Sequence, residues 1–205
     1  MSSTGGEMIK VMGIMGSPRR HGNTERLLDE VLAGARAAGA GIEKVIVSEL
    51  DISPCREIYA CLKDGNCAIA DDMQQLYPKL TQADGIVLAS PIFFYGITSQ
   101  AKAVVDRCQA LWVRRHILGI ANSNQRSRKG VFVSVGATGG KRLFSGAKPT
   151  VKCFFDAAGV EYAGELLIRR ADAKGEIARH PTALRDAFRL GGELVRSLTG
   201  TRGCG

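Results

Sequence analysis

The chain has 205 residues, 45% hydrophobic and 23% charged, a balance that suits a globular protein with a sizeable core and excludes a disordered or fibrous one. No apolar run is long enough to span a membrane, and residues 1–7 are small and polar rather than a basic-then-apolar leader, so they read as a frayed tail, as do 200–205. The net charge of +8 would suit nucleic acid, but no basic stripe interleaved with aromatics is present, and the same charge suits small anionic substrates.

Residues 8–15 are short, apolar and interrupted by Gly13, which reads as a buried strand. Leu27, Leu28, Val31, Leu32 and Ala35 then recur at helical spacing, predicting a helix over 24–38. Between them lies Gly16-Ser17-Pro18-Arg19-Arg20-His21-Gly22-Asn23-Thr24. A loop at the carboxyl end of a strand that opens a helix has free backbone N–H groups and a positive dipole end, which favour an anion. Ser17, Asn23 and Thr24 add neutral donors and Arg19 adds charge, so the loop is suited to a phosphate. A nucleoside-triphosphate loop is excluded, because Gly16 and Gly22 are one residue too far apart and Asn23 stands where Lys is required. The Gly-x-Gly-x-x-Gly dinucleotide fingerprint is missing as well. What remains is the terminal phosphate of flavin mononucleotide (FMN) in a flavodoxin-like sheet, or a polar loop that merely caps the helix through Asn23 or Thr24.

A second strand is expected over 43–49, followed by a loop over 51–70 that carries Cys55, Cys61 and Cys67. Asp71-Asp72 opens a second helix that turns Met73, Leu76, Tyr77 and Leu80 inward, with Pro78 as a candidate kink. A third strand over 85–90 leads into Pro91-Ile92-Phe93-Phe94-Tyr95-Gly96, whose three aromatics fit a flat ring system to lie against, or fill core. A third helix starts near Ser99 and directs Ala101, Val104, Val105, Cys108, Leu111 and Trp112 inward. Residues 113–128 read as polar and irregular and, with the helix end at Trp112, as the candidate subunit interface. Arg107, Arg114, Arg115, Arg126, Arg128 and Lys129 cluster here and read as a solvated face or subunit edge. A fourth strand over 130–135 ends in Gly136-Ala137-Thr138-Gly139-Gly140, where backbone can approach a ligand closely. A helix over 147–158, a strand over 161–168 and a helix over 182–198 complete the pattern, the last burying Leu184, Ala187, Phe188, Leu194, Val195 and Leu198.

Alternating strands and helices predict an α/β fold, a flavodoxin-like doubly wound five-stranded parallel sheet with helices on both faces, in one domain over 8–199. The near-continuous apolar strands agree, since such strands are covered on both sides. In that architecture the loops after strands one, three and four meet at one edge of the sheet, at the switch point. Six cysteines without a secretory leader argue for a reducing, cytoplasmic compartment. Cys108 and Cys153 read as small core residues and Cys204 as incidental in a Gly-rich tail.

Together the phosphate loop, Asp71-Asp72-Met73, the run from Ala83 to Ile92 and Gly96-Ile97-Thr98-Ser99-Gln100-Ala101-Lys102 resemble the NADPH-dependent FMN reductases, closest to the iron–sulfur flavoproteins and their cluster-free relatives. The resemblance covers about residues 8–170. It implies bound FMN, NADPH as electron donor and a homodimer or homotetramer. By that resemblance Ser17, Arg19, Asn23 and Thr24 hold the phosphate. Pro91, Ile92, Phe93, Phe94, Tyr95 and Gly96, with Gly136, Ala137, Thr138, Gly139 and Gly140, flank the flavin ring. The cysteine loop departs from the pattern Cys-x-x-Cys-x-x-Cys-x5-Cys, because Ile58 replaces the second cysteine. A [4Fe–4S] cluster or a zinc site wants a fourth ligand, so no metal is expected there. The expected activity is hydride transfer from NADPH to FMN and onward reduction of a small-molecule acceptor: a quinone, free flavin, azo or nitro compound, or iron complex. The flavin carries the chemistry, and no side-chain acid or base is assigned. Thr138 and Tyr95 are candidates to tune the ring or simply to touch it. Arg114, Arg115 and Arg126 are candidates for a 2′-phosphate from charge alone. No nucleic-acid or membrane partner is expected. The alternatives are an FMN electron carrier without turnover, against which the basic charge counts, a redox or metal-binding protein working through the cysteine loop, and a phosphate-binding domain without flavin.

Overall fold

The computed structural model describes residues 8–120 and 127–200. Residues 1–7 and 201–205 of the expected tails, Cys204 and Arg126 lie outside the described residues; Gly200, the first residue of the expected C-terminal tail, caps the last helix. Five strands form one parallel sheet: β1 (Lys10–Met15), β2 (Gly41–Ile46), β3 (Gly85–Pro91), β4 (Lys129–Gly136) and β5 (Glu161–Arg169), in the order β2-β1-β3-β4-β5. The helices are α1 (Asn23–Ala37), the single turn α2 (Cys61–Asp64), α3 (Met73–Gln82), α4 (Ser99–Arg107), α5 (Gln109–His116), α6 (Ala147–Ala158) and α7 (Ala183–Thr199).

Strand residues alternate between two cores. Met12, Ile14, Ile86, Leu88 and Phe132 face α3, α4 and α6, while Val11, Met15, Val87, Ala89, Val131 and Val133 face α1 and α7. The three inner strands are buried almost throughout, so their sequences are continuously apolar; the edge strands β2 and β5 are only partly covered. α1 and α7 approach backbone to backbone at Gly34 and Gly191. A Cβ on Gly34 would lie 1.9 Å from the Phe188 carbonyl oxygen, and one on Gly191 would lie 1.9 Å from that of Val31. The approach leaves Phe188 on the outer side of α7, exposed, although helical spacing alone turns it inward.

Other boundaries differ from expectation for local reasons. β2 ends at Ile46, because Val47–Glu49 turns as a 3₁₀ helix toward the cysteine loop. The third expected helix is divided at Cys108 into α4 and α5, and α5 carries helix to His116, into the stretch read as irregular. α3 runs through Pro78. Cys108 is buried, but Cys153 on α6 is exposed.

Two members of the expected surface basic cluster are interior. The Arg107 side chain is fully buried against Asp71, with Nη1 2.6 Å from Oδ2 and Nη2 3.1 Å from Oδ1. It also donates to the carbonyls of Ser53 and Ile69, so one guanidinium clamps both ends of the cysteine loop. Arg128 donates from Nε to Ala83 O at 2.7 Å and from its other nitrogens to Ala158 O and Leu80 O. It thereby joins the carboxyl ends of α3 and α6, where helix dipoles are negative. Burial pushes the Arg128 guanidinium down to about 10, still charged at neutral pH.

Replacing Arg107 with Ala strands the nearly buried Asp71 carboxylate and two carbonyls. We expect it to lower unfolding free energy by about 3–5 kcal/mol in urea titration. A loss below about 1 kcal/mol would show that the clamp is dispensable.

Candidate functional site

The loops after β1, β3 and β4 converge at the carboxyl edge of the sheet through buried hydroxyls. The Thr98 hydroxyl donates to Gly16 O and, as N-cap of α4, accepts from the Ala101 amide at 3.2 Å. The Thr98 amide donates to Ser90 Oγ at 3.1 Å, and Ser134 Oγ donates to Ser90 O at 2.7 Å. Ser90, Thr98 and Ser134 are wholly buried. Gly16 is required at the start of the first loop, since a Cβ there would stand 2.7 Å from that of Ala101.

These loops enclose a cleft of about 210 Å³ lined by Ser17, Pro18, Arg19, Gly22, Asn23, Thr24, Pro91, Ile92, Phe93, Val135, Ala137, Ala171 and Asp172. One end is the amino terminus of α1, whose N-cap Gly22 offers no side chain to cap it. Its first amides and the positive dipole end are thus available to an anion. The walls toward the other end are apolar: Pro91, Ile92, Phe93, Val135, Ala137 and Ala171. Phosphate-binding polarity at one end and an apolar slot at the other match a flavin mononucleotide by the chemistry of the donor set.

Charge beneath the first loop holds its shape. The Glu25 carboxylate, almost fully buried in the first turn of α1, accepts from the His21 amide, from Lys44 Nζ at 2.7 Å and from Arg20 at 3.2 Å. Arg20 also reaches Glu49, and Lys44 reaches Asp29 at 2.6 Å. Burial alone would raise the Glu25 carboxyl, but the bonds from Lys44, His21 and Arg20 and the Lys44 charge outweigh it and hold it at about 2. His21 itself takes a positive φ of 55° to make the turn.

Of the residues singled out from the sequence, Ser17, Arg19, Asn23, Thr24, Pro91, Ile92, Phe93 and Ala137 line the cleft. Phe94, Tyr95, Gly96, Gly136, Thr138, Gly139 and Gly140 are outside the lining. Phe93 and Gly96 pair through mutual backbone bonds of 2.9 and 3.0 Å, which places Phe94 and Tyr95 at the tip of a tight turn with φ of 48° and 66°. Phe94 is fully exposed. Asn23 also reaches across the cleft, where its Nδ2 donates to Ala173 O at 2.9 Å and its Oδ1 accepts from the Ile177 amide at 3.2 Å. Arg19 Nη1 likewise donates to Asp172 O at 3.0 Å. The segment after β5, with Ala171 and Asp172, is therefore a fourth wall. Its polar, Lys- and Gly-bearing sequence carried no motif to mark it, and only the bonds from Asn23 and Arg19 show its place.

A profile of the family described as NADPH-dependent FMN reductase matches residues 9–161. An iron–sulfur flavoprotein of Methanocaldococcus jannaschii is 35% identical over 130 residues, 63% of this chain and 63% of that protein, so the chain spans less than two thirds of it. A second iron–sulfur flavoprotein of that organism is 31% identical over 150 residues, 72% of this chain and 71% of its own length. In fold, the chain is similar to an NAD(P)H:quinone oxidoreductase from Methanothermobacter marburgensis, with a TM-score of 0.67 at 15% identity, covering 92% of this chain and 98% of that one.

The donor set of the cysteine loop does not fit a four-thiolate cluster. Cys55 is exposed, Cys61 and Cys67 are partly buried, and Ile58 is exposed at the position of the missing cysteine. Among the described residues no group of three or more His, Cys, Asp or Glu is placed to hold a metal ion. Burial and the neighbouring Cys67 and Cys55 push the Cys61 thiol up from its ordinary value.

Because the folded-state Glu25 carboxyl lies near 2, below its ordinary 4.5, its stabilisation is complete above pH 4.5 and is lost as pH falls toward 2. Glu25→Gln should lower the urea midpoint at pH 7, with the gap to the parent protein narrowing steadily between pH 4.5 and 2. A gap that stays constant over that range would show that the carboxylate charge is not what braces the loop.

Proposed function

The chain belongs to the NADPH-dependent FMN reductase family, and from that premise we propose that the cleft binds FMN and serves an oxidoreductase that takes electrons from NAD(P)H and delivers them to a small acceptor. The observation that carries this reading is the uncapped amino terminus of α1 facing an apolar slot, at the β1/β3 switch point of the sheet. FMN, when bound, supplies the ring that accepts a hydride and passes electrons on.

This chain's residues bind and orient. The amides of Asn23 and Thr24, the Ser17 and Thr24 hydroxyls and the Arg19 guanidinium hold a phosphate dianion. Arg19 and Asn23 are themselves fixed by their bonds to the Asp172 and Ala173 carbonyls. Pro91, Ile92, Phe93, Val135, Ala137 and Ala171 form the apolar lining that keeps water from the slot. The Ser90–Thr98–Ser134 hydroxyls set the height of those walls. No titratable side chain of the cleft is needed as acid or base, in keeping with hydride transfer between two ring systems.

Acceptors of the quinone, free-flavin, azo, nitro or iron-complex class fit the open mouth beside the exposed aromatic turn at Phe94 and Tyr95. Assembly as a homodimer or homotetramer is the form we propose for the active protein. Among the described residues no helix is long and apolar enough to cross a membrane.

The test is the visible spectrum after saturation with FMN and removal of the unbound fraction. We expect about one flavin per chain, bleached by NADPH under anaerobic conditions and restored by a quinone. A colourless protein would overturn the reading, and bleaching without turnover on any acceptor would leave an electron carrier instead. Thr24→Val removes one hydroxyl donor to the phosphate and should weaken FMN binding about tenfold, as expected for a hydrogen bond to a charged group. Equilibrium titration of flavin fluorescence measures it.

A further inference from the structure

Four cations crowd the rim beside the β4 and β5 loops, outside the residues that face the flavin phosphate. The two loops are zipped together: the Arg170 amide donates to Thr138 O and the Ala171 amide to Gly136 O, each at 3.3 Å. Ala171 is in the cleft wall, so Arg169 and Arg170 stand immediately outside it. The Arg169 guanidinium lies 5.1 Å from the Phe144 ring centroid and donates to the carbonyls of Gly140 and Lys141 at 3.3 and 3.4 Å. Arg170 holds a left-handed φ of 58° and lays its Nε 2.7 Å from where a Cβ on Gly139 would be. Lys141 and Arg142 continue the same loop, and all four residues are exposed.

These cations have no carboxylate partner among the described residues. Some cations elsewhere do find a carboxylate, as in Arg20–Glu25, Lys79–Glu43, Lys102–Asp106 and Lys148–Glu165; what sets this group apart is its place beside the cleft. The acids near the rim are Asp172, in the cleft lining, and Glu176, whose Oε2 is taken by the amides of Asp172 and Ala173. A cationic rim left unneutralised beside a flavin slot attracts an anionic second substrate. With Nε and Nη2 held by the two carbonyls and the group set over Phe144, Arg169 is fixed in place and presents Nη1 outward as a positioned, charged donor to a phosphate oxygen.

We propose that Arg169 and Arg170, flanked by Lys141 and Arg142, bind the 2′-phosphate of NADPH and so set the preference for NADPH over NADH. The site rests on the reading of the cleft as a flavin site, from whose mouth a nicotinamide stacked on the ring would extend its adenosine end. It is put forward beside the candidates Arg114, Arg115 and Arg126, of which Arg126 lies outside the described residues. Arg115 donates to Asp156 O near the carboxyl end of α6, on the side of the sheet where Arg128 joins helix ends, opposite the cleft.

The test compares the parent protein with Arg169→Gln/Arg170→Asn, and with Lys141→Gln/Arg170→Asn, which keeps Arg169 on Phe144. Asn tolerates the left-handed backbone of position 170. Calorimetry with 2′,5′-ADP and 5′-AMP reads the site without turnover; steady-state kinetics read KM for NADPH and NADH. We expect the parent to bind 2′,5′-ADP more tightly than 5′-AMP. In both variants that difference should shrink, and the NADPH:NADH ratio of kcat/KM should fall about tenfold through KM, the loss expected for charge-assisted bonds. An unchanged ratio, equal loss for both donors, or equal binding of the two nucleotides by the parent overturns the proposal. A parent that retains no FMN overturns the flavin reading instead, and selective 2′,5′-ADP binding lost in the variants would still support the anion site.

Discussion

The cleft depends on three strands ending at matching heights, and three buried hydroxyls set that match. Ser90, Thr98 and Ser134 leave the apolar packing of β3, α4 and β4 to bond backbone groups of the neighbouring loops. In a wholly buried setting each unmade bond would leave a polar group desolvated, at a cost of about 1–3 kcal/mol, so the loops have little freedom to slip relative to one another. The α1 amino terminus, the apolar walls and the fourth wall after β5 are all positioned from this frame. The last is tied in by Asn23 and Arg19, whose partners at Ala173 and Asp172 lie 150 and 153 residues away in the chain.

A second constraint is the handling of charge. The chain carries an excess of cations, and it uses some of them inside: Arg107 closes the neck of the cysteine loop and Arg128 gathers helix ends. Glu25 does the reverse, as a buried anion that draws Lys44, Arg20 and the His21 amide beneath the loop after β1. A low folded-state pKa follows from that concentration of donors. Arg169 and Arg170, with Lys141 and Arg142, are instead left exposed on the loops beside the cleft, where their field reaches approaching anions.

The aromatic turn at the mouth carries strain for the sake of position. Phe94 and Tyr95 occupy the left-handed region that such turns normally give to Gly or Asn, at a cost of about 1–3 kcal/mol each. The Phe93–Gly96 pair and the bond from the Ile92 amide to Val135 O over-determine the turn. An apolar tip is thereby held exposed against backbone preference.

Much of this is legible in the chain itself. Strand and helix periodicity is a property of neighbours in sequence, so the five strands, their parallel arrangement and the convergence of the Ser17–Thr24, Pro91–Phe93 and Ala137 segments follow from pattern and from the rules of doubly wound sheets. The family resemblance rests on the same short segments. Other features need the folded chain. Arg107 and Arg128 look like surface charge in sequence, because their partners at Asp71, Leu80 and Ala83 are tens of residues away. Phe188 has helical spacing for the core, but its own backbone is what meets Gly34 where α1 and α7 approach, and its side chain is left exposed. The fourth wall and the rim of Arg169 and Arg170 carry no motif at all. Fold, cofactor class and the identity of the converging loops are thus written in local pattern, while the division of charges between interior and cleft mouth belongs to the folded state alone. Backbone preference and hydrophobic period act over a few residues, whereas the placement of a charge is settled by partners that only the finished sheet brings within bonding distance.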